Sequence, residues 1–127
     1  MLLMDVENLE GGLSCSLEIR DTARADVRLA GELDNDTVPQ AGAVFDHLMT
    51  LRCRHVVVDV SGMTFLGAAG LGLFATTAAR LGEHGGCLRI VGASPLVLRL
   101  FAITGLDQVL AVDAAPTSGE EIQRRTG

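Results

Sequence analysis

The sequence predicts one α/β domain, a sandwich with a mixed sheet of about five strands and about four helices. Short strand-like runs recur between longer segments with helical spacing, which gives the order β-β-α-β-α-β-α-β-α. Strand–helix–strand repeats imply parallel strands joined by right-handed crossovers. The 127 residues suffice for one hydrophobic core, and we expect a leader over residues 1–12 and the domain over residues 13–127.

The first two strands are predicted to form a hairpin. Cys15, Leu17 and Ile19 alternate with polar residues, as in a half-buried strand. A turn at residues 21–24 precedes a second alternating run over residues 27–33. We therefore expect an antiparallel pair at one edge of the sheet.

The first helix is predicted to begin after a cluster of capping residues. Asp34, Asp36 and Thr37 stand just before Pro39, which suits the first turn of a helix. The helix then presents an apolar face made of Val38, Ala41, Phe45, Leu48 and Met49.

Residues 55–73 form the stretch around which the chain is organised. The apolar run of residues 56–60, interrupted only by Asp59, predicts a strand buried on both faces. Ser61-Gly62 predicts a turn. Three glycines then open a helix with apolar residues at helical spacing: Gly67, Gly70 and Gly72, followed by Leu71, Phe74, Ala75, Ala78 and Leu81. We expect the function to lie where this strand leads into this helix.

The remaining elements follow from turn and capping residues. Gly85-Gly86 ends the central helix and residues 87–91 predict a strand. Ser94-Pro95 opens a helix that Gly105 closes, and residues 109–112 predict the last strand. Residues 117–120 have capping-box spacing and predict a final, weakly anchored helix.

Composition and charge argue against nucleic acid and membrane insertion. The net charge is −6, and the chain has no lysine, tryptophan or tyrosine. Residues 60–79 are uncharged over a length that could span a membrane, but four glycines and an internal turn signal favour a core helix. The first residues lack a basic region, so we expect no signal peptide and a cytoplasmic protein.

The three cysteines are Cys15, Cys53 and Cys87, an odd number that fits no metal-ligand spacing. In a reducing cytoplasm we expect small, buried, unpaired thiols. The sequence therefore predicts neither a disulfide nor a metal site.

The glycine-rich helix start raises the question of anion binding. Free amides at a helix N-terminus can hold a phosphate. However, residues 67–72 reverse the glycine spacing of a dinucleotide fingerprint and lack the lysine and hydroxyl of a P-loop. Close packing of the helix on the sheet explains these glycines better, and we expect no cofactor.

Catalysis finds equally little support in the sequence. His47, His55 and His84 are predicted at surface or boundary positions, and no nucleophile joins them in a motif. Asp59 is a solitary acid whose simplest role is to accept backbone hydrogen bonds at a strand end. We expect no enzyme.

Three separated stretches resemble the STAS domain of the anti-sigma factor antagonist family. Residues 31–34 read Gly-Glu-Leu-Asp, residues 56–66 match the family's apolar strand and the segment after it, and residues 104–107 resemble a late helix end. The resemblance covers residues 13–115 in the family's order. It implies a protein that binds a kinase-type anti-sigma factor and so releases a sigma factor.

The resemblance also implies a site at the family's D-S-S-G motif, whose first serine is the phosphoacceptor. Here the motif reads Gly67-Ala68-Ala69-Gly70, so Ala68 occupies the acceptor position without a hydroxyl. We expect the fold without the phosphoswitch. The implied partner-binding residues are Asp34, Asp36, Thr37, Gly67, Ala68, Ala69, Gly70 and Leu71.

Two classes of function stay open at this point. One is an antagonist regulated without phosphorylation. The other is a STAS scaffold, a ligand sensor or an accessory subunit of an ABC-transporter ATPase. A homodimer also stays open.

Overall fold

The structure, a computed structural model, describes residues 2–9, 12–21 and 23–115. The strands are β1 Leu2–Leu9, β2 Leu13–Ile19, β3 Arg24–Leu33, β4 His55–Leu66, β5 Cys87–Ala93 and β6 Ala111–Ala114. The helices are α1 Val38–Thr50, α2 Ala68–Glu83 and α3 Pro95–Thr104, with a short 3-10 helix at Leu106–Gln108. The predicted α/β sandwich with a mixed sheet is confirmed.

Within the described residues, the sheet contains six strands in the order in which they occur in the chain, β1-β2-β3-β4-β5-β6. The strands β1, β2 and β3 pair antiparallel, and β3, β4, β5 and β6 pair parallel. Each parallel strand is thus reached from its neighbour through one helix, as the repeats predicted. The predicted hairpin of β2 and β3 is confirmed.

The stretch predicted as a leader contributes a strand to the edge of the sheet. Residues 2–9 form β1, which pairs with β2 and raises the number of strands from about five to six. A sheet edge can always accept another strand because its backbone groups are unpaired. The fourth predicted helix, at residues 117–120 and beyond, lies outside the described residues.

The helices cover one face of the sheet, so the prediction that the central strand is buried on both faces was wrong. Alternate strand residues are buried on that face: Leu13, Cys15, Leu17, Ala25, Val27, Leu29, Val56, Val58, Val60, Leu88 and Ile90. On the opposite face Val57, Asp59 and Val91 are only half-buried. When the strand order follows the chain order, every right-handed crossover puts its helix on the same side.

Ser61-Gly62 does not turn the chain, contrary to the prediction. The strand β4 continues to Leu66, and its pairing with β3 shifts register twice, between Arg28 and Ala30 and between Gly31 and Glu32. The extra residues of β4 are therefore absorbed as bulges. A Cβ at Gly62 would lie 2.9 Å from the Ala30 Cβ, so the glycine allows the two strands to approach.

The predicted helix boundaries agree with the structure where capping residues marked them. The hydroxyl of Ser94 accepts a hydrogen bond from the Val97 amide at the start of α3. Gly105 ends the same helix in the left-handed conformation, with φ of 78°. Within the described part of the chain, no helix is long and apolar enough to cross a membrane.

Candidate functional site

The candidate site is the N-terminal end of α2, where β4 leads into the helix. Gly67 is the N-cap and has extended backbone angles, with φ of −96° and ψ of 178°. Its amide donates a hydrogen bond to the Leu33 carbonyl at 2.9 Å, and its carbonyl accepts one from the Leu71 amide at 3.1 Å. The last residues of β3 therefore fix the position at which α2 begins.

Gly70 is the position in the first turn of α2 where the packing requires a residue without a side chain. A Cβ at this position would lie 2.7 Å from Leu66 Cδ1 and 2.8 Å from Leu33 Cγ. Real Cβ atoms rarely approach other carbon atoms so closely, so any larger residue would push the helix away from β3 and β4. By contrast, a Cβ at Gly72 would meet no atom within 4 Å. Close packing of helix on sheet, as the sequence favoured, accounts for Gly70.

The solvent-accessible residues at the start of α2 have small, apolar side chains. Ala68 is exposed and Ala69 is half-buried. Phe65, two residues before the cap, has 53 % of its surface exposed although it is a large hydrophobic residue. Its ring lies beside Gly67, because a Cβ on that glycine would be 3.1 Å from Phe65 Cε2. Phe65 is not among the predicted site residues, because no local sequence pattern distinguishes an exposed phenylalanine from a buried one.

The turn between β3 and α1 borders the same end of the sheet. Asp34 directly follows Leu33, and its carboxylate accepts hydrogen bonds from the amides of Asp36 at 2.9 Å and Thr37 at 3.1 Å. The Asp34 side chain thus closes a turn before the helix. Thr37 is the N-cap of α1 but makes no side-chain capping bond. Instead its hydroxyl donates to the Glu32 carbonyl at 2.9 Å and accepts from the Asp34 amide at 2.9 Å.

Three of the predicted partner-binding residues are buried. Thr37 is fully buried, Gly70 is buried, and Leu71 has 8 % of its surface exposed. These three shape the site from beneath. The exposed or half-buried remainder consists of Asp34, Asp36, Gly67, Ala68 and Ala69. That the eight residues form a partner-binding site stays a prediction.

The first residue of the Gly-Glu-Leu-Asp stretch, Gly31, must be a glycine for structural reasons. Gly31 has φ of +98°, and a Cβ there would lie 2.0 Å from the Gly12 carbonyl oxygen. Only glycine adopts this conformation without strain while another backbone approaches so closely. The stretch therefore belongs to the scaffold that carries Asp34 to the candidate site.

The candidate catalytic residues do not converge on this site. His47 lies exposed in α1 and His84 lies exposed just after α2. Asp59 accepts a hydrogen bond from the Ser61 amide at 2.8 Å, which is the structural role that the sequence favoured. Among the described residues, no group of three His, Cys, Asp or Glu side chains is arranged to hold a metal ion.

The cysteines are free thiols, but they are not all buried. Cys15 and Cys53 are buried, whereas Cys87 is exposed, so the prediction of three buried thiols was wrong for Cys87. Its sulfur lies 3.5 Å from Nδ1 of His55. No local sequence pattern links these two residues, because they are far apart in the chain. They meet because each begins one of two adjacent parallel strands.

Comparison with known proteins adds an independent line of evidence. The family model described as "Mlab, STAS domain" matches residues 16–112. An anti-sigma-B factor antagonist of Staphylococcus aureus is 34% identical over 88 residues, which cover 69% of this chain and 82% of that protein.

Two solved structures extend the comparison to three dimensions. The anti-sigma factor antagonist SpoIIAA in its unphosphorylated form has a TM-score of 0.67 at 27% identity, over 87% of this chain and 95% of that one. The phosphorylated form of the Bacillus cell fate determinant SpoIIAA has a TM-score of 0.63 at 25% identity, over 86% of this chain and 96% of that one.

Proposed function

This chain belongs to the STAS domain family, as its three motif stretches predicted, and from that premise we propose that it is an anti-sigma factor antagonist. In this proposal it is a non-enzymatic, cytoplasmic regulator that binds a kinase-type anti-sigma factor and so releases a sigma factor. It binds through the start of α2 and lacks the serine phosphoswitch. The names of the S. aureus relative and of SpoIIAA support the antagonist role.

The observation that carries the proposal is the exposed, hydroxyl-free start of α2. SpoIIAA, which shares this fold, exists in unphosphorylated and phosphorylated forms. We align its family's acceptor serine with Ala68, the first residue of α2, which is exposed and carries only a methyl group. A phosphate would add a charge of about −1.5 to −2 and repel a fitted partner. Without an acceptor oxygen, this chain stays competent to bind.

Neighbouring hydroxyls are poor substitutes for the missing serine. Ser61 and Thr64 belong to β4, Thr76 lies in the third turn of α2, and Thr77 has only 2 % of its surface exposed. Phosphoryl transfer requires the acceptor oxygen in line with the γ-phosphate, and a misplacement of about 1 Å already slows reactions strongly. We therefore expect none of these four residues to be phosphorylated by the partner.

Phe65 is the residue that we expect to anchor the partner. It offers a large aromatic side chain at the rim of the α2 start, and buried aromatic anchors dominate the energetics of many interfaces. The exposed carboxylate of Asp36, on the neighbouring turn, adds negative charge to the rim. Rim charges mainly affect association rate and partner choice.

A second candidate function is favoured by the same missing hydroxyl. If the switch is absent because sigma-factor control was lost, the chain serves as a scaffold, a ligand sensor or an accessory subunit of an ABC-transporter ATPase. The two candidates predict different partners for the same surface.

Capture of partners from extracts of the source cells separates the two functions. The tagged chain should retain an ATP-binding anti-sigma factor, identified by mass spectrometry, and Phe65→Ala should reduce its recovery at least about tenfold, as expected for an interface anchor. Val109→Ala is the matched control, because Val109 is equally apolar and 59 % exposed but lies after α3. Recovery of transporter or scaffold subunits instead would support the second function.

The missing switch is tested with the captured kinase and ATP. Wild-type protein should gain no phosphate, whereas the double variant Gly67→Asp, Ala68→Ser restores an acid and an acceptor and should become phosphorylated. Phosphate mapped to any residue between Ser61 and Thr77 of the wild-type chain at one equivalent would refute the loss of the switch.

A further inference from the structure

The side chains of Cys87 and His55 are in contact at the end of the sheet opposite to the candidate site. They are the first residues of β5 and β4, paired across the parallel ladder, and both are exposed. The distance from Cys87 Sγ to His55 Nδ1 is 3.5 Å, which suits a weak hydrogen bond between thiol and imidazole. Arg24, on β3, pairs with His55 in the same row of the sheet, and its guanidinium contacts the Asp26 carboxylate at 3.4 Å.

The other two thiols provide an internal contrast. Burial raises the pKa of the Cys15 thiol to about 11. Burial, followed by the negative charge of Asp21, also raises the pKa of the Cys53 thiol. The thiolate is the reactive form of cysteine, so both residues should be inert at neutral pH. Among the three cysteines, only Cys87 combines exposure with a neighbouring base.

The side chain of Cys87 points away from the core. Along β5 the buried residues Leu88 and Ile90 alternate with the exposed residues Cys87 and Arg89. Alternate residues of a strand face opposite sides of the sheet, so Cys87 lies on the face that the helices leave open. A group attached to its sulfur can therefore extend into solvent without displacing the core.

We propose that Cys87 is a modification site that reacts with low-molecular-weight disulfides, with His55 as the proton acceptor. The imidazole Nδ1 takes the thiol proton, and the Cys87 sulfur attacks one sulfur of the disulfide. The new sulfur–sulfur bond forms as the old one breaks, and the released thiolate takes up a proton. Cys87 is thereby oxidised to a mixed disulfide, and half of the reagent is reduced to its thiol.

The test measures the exchange with oxidised glutathione at pH 7, with adducts mapped by mass spectrometry. Folded wild-type protein should acquire one adduct, on Cys87, faster than an average thiol of the same chain unfolded in urea. His55→Gln should slow the reaction of Cys87 roughly three- to tenfold, because a positioned base is lost while solvent can still accept the proton. His84→Gln removes another exposed histidine and should leave the rate unchanged.

Three results would overturn the proposal. They are an unchanged rate in His55→Gln, first modification of Cys15 or Cys53, and a folded-state rate for Cys87 no higher than in the unfolded chain. Thermal unfolding of each variant establishes that it is folded. If His55→Gln does not fold, the comparison of folded and unfolded wild-type protein decides by itself.

Discussion

Gly70 and Gly72 lie in the same helix, but only Gly70 packs against the sheet, and this difference predicts opposite effects of alanine. A Cβ at Gly70 would lie 2.8 Å from Leu33 Cγ and 2.7 Å from Leu66 Cδ1. Leu33 is fully buried and Leu66 has 9 % of its surface exposed, so neither side chain has free space to move into. Gly72 is open, because no atom lies within 4 Å of the place that a Cβ would occupy there.

Two contributions determine how much each alanine substitution changes the free energy of unfolding. Replacing glycine by alanine inside a helix contributes about 1 kcal/mol of stability, because the unfolded chain loses freedom and the helix does not. Forcing a methyl group into a packed core costs about 1–3 kcal/mol. Gly72→Ala should therefore raise the free energy of unfolding by about 0.5–1 kcal/mol. Gly70→Ala carries both terms and should lower it by about 1 kcal/mol.

Urea denaturation followed by circular dichroism measures both variants against the wild type. The comparison of the two alanine variants cancels most of the helix-propensity term, so their difference, about 1–3 kcal/mol, reports the packing of α2 on β3 and β4. If Gly70→Ala is as stable as Gly72→Ala, the helix start is not held against Leu33 and Leu66. The explanation of the small-residue turn would then be wrong.

Two further predictions concern buried groups. Thr37→Val removes the hydroxyl that bonds to the Glu32 carbonyl and the Asp34 amide, and should lower the free energy of unfolding by about 1–3 kcal/mol. Thr37→Ser keeps a hydroxyl and should lower this free energy less. Equal losses of the two variants in urea denaturation would contradict the role of the hydroxyl. Burial raises the folded-state pKa of the Cys15 thiol to about 11, so the protonated thiol contributes stability that is fully present below pH about 9. This contribution is lost as the pH rises towards 11. Between pH 9 and 11, the free energy of unfolding of the wild-type protein should therefore fall by about 2 kcal/mol more than that of Cys15→Ala, and equal losses would show that the Cys15 thiol is not buried in this way.

Local patterns in the sequence were enough to predict the class of fold and most of its elements. Alternation predicted β2 and β3, and helical spacing predicted the apolar faces of α1 and α2. Ser94 and Gly105 marked both ends of α3, because a capping hydroxyl and a left-handed glycine satisfy local backbone groups. The three motif stretches also identified the family, since they depend on residue type and order alone.

Which residues face solvent depends on packing between elements. Thr37, predicted as a capping residue, is fully buried, whereas Phe65 is a large hydrophobic residue that is 53 % exposed. A local pattern gives the period of exposure along one element, but the neighbouring elements determine which side is covered.

For the same reason, contacts between residues that are far apart in the chain could not be predicted from the sequence. His55 and Cys87 meet only because β4 and β5 pair in parallel from their first residues. The residue types at Ser61-Gly62 predict a turn, but the pairing of β4 with β3 absorbs the extra residues of β4 as bulges. Strand register and helix placement depend on packing between segments that are distant in the sequence. Capping and periodicity arise within one segment, so only these two can be predicted from the sequence alone.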